Sequence, residues 1–163
     1  MTEGGRAVIR AYQQAAAIAI VVISLLLVVL LRRVVTVLLV LAPIFLAALL
    51  TVAATVVLGV QFNFANVIVL PLLFGLGVAG GLHMVLRARQ STPGRVLATS
   101  TPRAVLFSAL TTVGSFGALA ASSHRGTASM GLLLTVAIGL TILCTLVVLP
   151  ALLHSGGTQR EKM

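Results

Sequence analysis

His83 is the only ionisable side chain well inside an apolar stretch of this 163-residue chain. A histidine takes up and releases protons, and an ionisable group at membrane depth is a candidate for proton handling or gating. His83 lies one helical turn from Arg87, so an interfacial, hydrogen-bonded structural role is the other reading. Ser108, Thr111, Thr112 and Ser115 recur at spacings of three and four, which sets their hydroxyls on one helix face. They can bond carbonyls of their own helix, or they can form a polar, hydrated seam against a neighbour. Thr51 with Thr55, and Thr141 with Thr145, are i, i+4 pairs of the same kind. Gly75, Gly77, Ala79, Gly80 and Gly81 crowd a short segment ahead of the histidine. Gly77 and Gly81 form a GxxxG, and Gly75 and Ala79 a second small-xxx-small pair. Such residues let helices approach closely, which suits tight packing and equally a span that moves.

The missing residue types narrow the chemistry. The only two carboxylate side chains are Glu3 and Glu161, one near each end, and no apolar stretch contains Asp, Glu or Lys. A carboxylate proton relay therefore cannot be built from these stretches alone. There is no Walker A, HExxH or GxSxG motif and no metal-ligand cluster, so no enzymatic activity, cofactor or metal is expected. The single cysteine, Cys144, cannot form an internal disulfide and reads as a small buried hydrophobe.

The elements that hold these residues follow from composition. Hydrophobic residues make up 60% and charged residues 8% of the chain, too few charges to cover a water-facing surface. The lipid bilayer is the solvent this sequence suits. The net charge of +9 reflects the shortage of acids, and its arginines fall in the gaps between apolar runs. No basic stripe interleaved with aromatics exists, so nucleic acid is not a partner. Five segments reach spanning length, at 15–31, 34–58, 64–86, 104–121 and 128–153. The expected fold is thus an all-α bundle of five transmembrane helices. Residues 1–14 form a juxtamembrane tail, 15–154 the membrane domain and 155–163 a second tail. The first run ends in Arg32-Arg33 and shows no small-residue cleavage site, unlike a signal peptide.

Arginine placement predicts orientation. Arg32, Arg33, Arg87, Arg89, Arg95, Arg103, Arg160 and Lys162 collect on one side, and Arg6, Arg10 and Arg125 on the other. The richer side is cytoplasmic by the positive-inside rule, giving N-out, C-in. An N-out chain with no signal and no span ahead of it is expected to be the C-terminal piece of a longer polypeptide.

Three stretches carry a family resemblance: FNFANVIVLPLLFGLGVAGGLHMVLRARQ (Phe62 to Gln90), TPRAVLFSALTTVGSFGALAASSHRGTASMGLLL (Thr101 to Leu134) and TVAIGLTILCTLVVLPALL (Thr135 to Leu153). Together they resemble the last three spans of an RND-superfamily exporter of the MMPL type, closest to the hopanoid-biosynthesis-associated RND transporter-like proteins. The preceding hairpin, with Pro43 in its second arm, is similar to the two spans before them. The resemblance implies the last five of twelve spans, beginning after a second periplasmic domain, in a multi-pass protein of the bacterial inner membrane. It also implies export or trafficking of hydrophobic molecules, hopanoid-type lipids above all, driven by the proton gradient. The implied partners are the N-terminal half or further copies of the chain. Many relatives carry an acid in the pattern G-x-G-x-D-x-G-x-H. Here Ala79 occupies that slot, between Gly77 and His83. Arg103 and the Ser108/Thr111/Thr112 face match positions beside the relay in relatives. Coupling could then reside in the other half, use His83, or be lost. A non-transporting scaffold or an inert remnant is the alternative expectation.

Overall fold

Apolar runs of this length satisfy every backbone group internally only as helices. The computed structural model describes residues 3–60, 68–90 and 96–158, and these hold five long helices and no strand. They are α1 (Glu3–Leu31), α2 (Val34–Val57), α3 (Val69–Gln90), α4 (Ser100–Ala120) and α5 (Arg125–Thr158), with one 3-10 turn at Val96–Ala98. All five are long and apolar enough to cross a membrane. Residues 64–67 of the third expected span, the Pro93-Gly94 break and residues 159–163 of the tail lie outside the described residues, as do Arg95, Arg160 and Lys162.

Several helix ends run past the hydropathy profile, α3 continuing to Gln90 and α5 extending from Arg125 to Thr158, into the expected tail. α1 begins at Glu3, well ahead of its apolar run, because the helix formers Ala, Arg and Gln continue it outward. α4 begins at Ser100, since Ser-Thr-Pro is a good helix opening with proline in the first turn, where no amide donor is missed.

The α1–α2 corner needs only two residues. Arg32 adopts a left-handed conformation, φ 52°, and its amide donates to the Val28 carbonyl at 2.8 Å. Arg33 is extended, and its carbonyl accepts from the Thr36 and Val37 amides at 3.0 and 3.2 Å to start α2. Arg89, in the last turn of α3, reaches across this corner. Its Nη2 donates to the Leu31 carbonyl at 3.2 Å and to Thr36 Oγ1 at 3.3 Å. It thereby satisfies one of the carbonyls left open at the end of α1. The end of α3 and the α1–α2 corner thus share one arginine-rich end of the bundle, where α4 also starts.

α2 stops differently. Gly59 sits at φ 63°, its amide bonds the Val56 carbonyl at 3.3 Å, and the Val60 amide bonds Thr55 at 3.0 Å. This is a Schellman stop, which glycine makes without steric cost.

α5 is the centre of the bundle, packed against α2, α3 and α4. The core joins Leu27 and Leu31 of α1, Val40 and Ile44 of α2, Leu73 and Met84 of α3, and Leu133 and Leu149 of α5. Phe45 and Phe74 meet edge to face, with ring centroids 5.1 Å apart. Thr51, Thr55, Thr141 and Thr145 are buried in this interior. Three of them donate to their own helix: Thr51 to Ala47, Thr55 to Val52 and Thr141 to Ala137, at 2.6 to 2.7 Å. α4 is the outlier, since only Pro102 on it is buried and it rests mainly on α5.

Candidate functional site

The loose fit between α3 and α4 leaves a cavity of about 500 Å³, floored by α5. From α3 come Leu73, Leu76, Gly77, Ala79, Gly80 and His83. α4 contributes Ser100, Thr101, Ala104, Val105, Ser108, Ala109 and Thr112, and α5 contributes Ile138, Thr141, Ile142 and Thr145. The wall is mostly apolar with a few hydroxyls and one imidazole, the usual make-up of a small-molecule pocket. His83, Ala79, Ala104 and Ser108 are exposed, so the cavity is a groove open along one side.

The structure brings together most of the residues singled out in the sequence. His83 and Ala79 share a wall with Gly77 and Gly80, facing Ser108 and Thr112. Thr111 and Arg103 are exposed on α4 and do not line the cavity. Gly75 is also exposed, with open space where a side chain would start. Gly81 turns to the opposite side, where an added Cβ would lie 3.1 Å from Val40 Cγ1. At Gly77 an added Cβ would come within 2.9 Å of Thr141 Cγ2 and 3.1 Å of Ile44 Cγ1. The GxxxG therefore sits at the contact of α3 with α2 and α5.

The hydroxyls of α4 bond their own helix. Thr111 Oγ1 donates to Phe107, Thr112 Oγ1 to Ser108 and Ser115 Oγ to Thr111, each at 2.9 Å. Their protons are committed, while their oxygens keep lone pairs that can accept from a visitor. Thr145 is 2% exposed and lines the same groove.

Sequence reasoning missed Ser100 and Thr101, which fall in what reads as a polar connection. The signal that finds them is the Ser-Thr-Pro helix start. It also missed Gly131, where an added Cβ would lie 2.5 Å from the Ala120 amide nitrogen and 2.7 Å from the Phe116 carbonyl oxygen. That glycine sets how closely α4 and α5 approach at their hairpin.

Chemically, the groove holds one group able to carry a proton and several able to pass or accept a hydrogen bond. No cluster able to hold a metal occurs among the described residues. Glu3, at the start of α1, is the only acid among them.

No protein-family model matches the chain. It is 42% identical over 122 residues to a protein named hopanoid transporter HpnN from Burkholderia multivorans, covering 75% of this chain and 14% of that one. A second protein of that name, from Rhodopseudomonas palustris, is 42% identical over 113 residues, covering 69% of this chain and 13% of its own length. The chain thus spans about one seventh of the length of these relatives. Identity of this order along most of the chain, in five helices fit to cross a bilayer, makes it a multi-pass membrane segment belonging to the hopanoid-associated RND transporter family.

Proposed function

We propose that this chain is the C-terminal membrane portion of an RND/MMPL-like transporter that moves hydrophobic lipids of the hopanoid type. The observation that carries the reading is the 42% identity to two proteins named hopanoid transporters. The arginine distribution supports an N-out, C-in arrangement, and the family resemblance implies the last five of twelve spans of a bacterial inner-membrane protein. In this reading the remaining spans and the external domains come from the rest of a longer polypeptide, or from further copies of the chain.

The α3–α4 groove is the part of this segment suited to conformational coupling. His83 and the Ser108 and Thr112 hydroxyls line it, while Arg103 stands at the start of α4. With Ala79 in the acid's slot, a proton entering here has only His83 as a side-chain carrier on the groove wall. Coupling then either passes through His83 or belongs to another part of the transporter.

Proteoliposomes containing the chain within its full-length transporter, a labelled hopanoid and an imposed proton gradient test this. Gradient-dependent movement of the hopanoid is the expected result. Failure to move hopanoid while moving another lipid would overturn the substrate assignment. Transport wholly insensitive to both Ala79→Asp and His83→Ala would remove this face from the coupling route.

A further inference from the structure

Leu31 ends α1, Val34 begins α2, and only Arg32 and Arg33 lie between them. Arg32 turns this corner in the left-handed region, at φ 52°, which a residue with a Cβ adopts only at a steric cost. Where α2 stops, the chain uses a glycine for the same conformation, Gly59 at φ 63°. A strained residue keeps such a conformation where its surroundings over-determine it. At this corner the restraint comes from α3. Arg89 Nη2 donates to the Leu31 carbonyl, on the α1 side, at 3.2 Å and to Thr36 Oγ1, on the α2 side, at 3.3 Å. One guanidinium nitrogen therefore bridges the strained residue from both sides.

Capping the end of α1 does not account for this bridge. Arg32 and Arg33 follow Leu31 directly, so two cations already stand at the negative end of the helix dipole. The positive-inside rule accounts for an arginine on this side of the membrane, and not for a bond that reaches 58 residues back along the chain. The tie also coincides with the packing. Leu27 and Leu31, in the last two turns of α1, are 0% and 1% exposed and belong to the same core as Met84 and Val85 of α3. α1 is thus held at the end where Arg89 grips it. Both bonds are long, so a displacement of α3 past the corner by about 1 Å ends them together.

We infer that Arg89 is a positioning residue that latches the end of α3 onto the α1–α2 corner, holds Arg32 in its left-handed conformation and makes Leu31 a fixed pivot for α1. With the latch closed, α1 can tilt about Leu31 and cannot slide along α3. This goes beyond the transport reading, because it concerns how the helices are joined whatever the cargo.

The test measures distance distributions between paired nitroxide labels on the whole chain in lipid nanodiscs, with Cys144→Ala to leave no other thiol. Labels go on cysteines introduced at the exposed residues Val21 or Val29 of α1, Leu38 of α2 and Val147 of α5. Val21 lies about 15 Å farther along α1 than the pivot, and Val29 only about 3 Å. With Arg89 in place, the Val21–Val147 distribution should be about twice as wide as that of Val29–Val147. Equal widths would mean that α1 has no pivot at this end. Arg89→Gln should widen the Val29–Val147 distribution about twofold and leave Leu38–Val147 unchanged. Arg89→Lys, which keeps the charge and its donors, should recover about half of the narrowing. Arg89→Gln that leaves Val29–Val147 as narrow as before would overturn the inference. So would equal widening of both pairs, since that is general loosening. If Arg89→Gln does not fold, Thr36→Val, which removes only the acceptor on α2, should widen the Val29 pair alone, and no widening would count against the latch. Hopanoid transport with equal widths along α1 would sink this inference and leave the proposed function standing.

Discussion

α3 has two faces that pack in opposite ways. Toward α2 and α5, Gly77 and Gly81 bring the helix against Ile44, Val40 and Thr141 with no room for another methyl group. Toward α4, the same helix presents Ala79, Gly80 and His83 to a groove of about 500 Å³. Both faces are built from small residues, yet only one is closed. The difference lies in the opposing helix: α2 and α5 bring buried aliphatic side chains, whereas α4 brings short hydroxyls and alanines bonded or turned within their own helix. In lipid no hydrophobic driving force closes such a gap, so helices meet only where shapes interlock. The closed face fixes α3 in the bundle, and on the open face α3 and α4 stand apart along the groove while α5 holds α4 in place.

That contrast can be broken from several directions. The largest effect is expected at the α4–α5 hairpin, where α4 does pack closely. Gly131→Ala would drive a methyl group into the backbone of Leu119 and Ala120. Backbone cannot rotate away, so a loss of about 3 kcal/mol is expected in reversible unfolding from mixed micelles. A loss below about 1 kcal/mol would mean that α4 shifts as easily here as beside the groove.

On the closed face of α3, Gly77→Ala places its methyl 2.9 Å from a Thr141 methyl on a stiff, β-branched side chain. A cost of about 1–2 kcal/mol in the same assay follows from overpacking. Removal of the Arg89 tie between α3 and the α1–α2 corner, by Arg89→Ala, should cost about 1 kcal/mol, since it leaves the Leu31 carbonyl without its side-chain donor. Faster amide exchange at the end of α1 would locate that loss. The smallest effect is at Gly75, where nothing stands within 4 Å of an added Cβ. Gly75→Ala should be neutral or stabilising by up to about 1 kcal/mol through helix propensity. If Gly75→Ala cost as much as Gly77→Ala, the two faces would not differ as described.

How much was legible beforehand depends on which force wrote the feature. The helices stand out because each apolar run must bury its own backbone bonds in lipid, whatever its neighbours do. Their ends were less legible: the opening of α4 at Ser100 depends on local capping chemistry that a hydropathy window averages away. Within the site, His83, Ala79, Ser108 and Thr112 share one groove, as residue type and spacing had suggested for the two helices taken singly. Thr111 and Arg103 stand outside it, because rotation of α4 about its axis is set by its contact with α5. The family likeness was legible in Phe62 to Leu153, and the relatives named as hopanoid transporters agree with it.

By itself, the sequence determined a five-helix membrane chain, a clustering of arginines in the connections and an alanine in the slot of the family acid. These are one-dimensional properties: run length, charge position and residue identity along one helix face. Only the tertiary structure decided that Gly77 and Gly131 meet another helix while Gly75 meets open space, and that α3 and α4 part to leave a groove. Small residues permit close approach without requiring it, so which of them are used depends on the shape of the helix opposite.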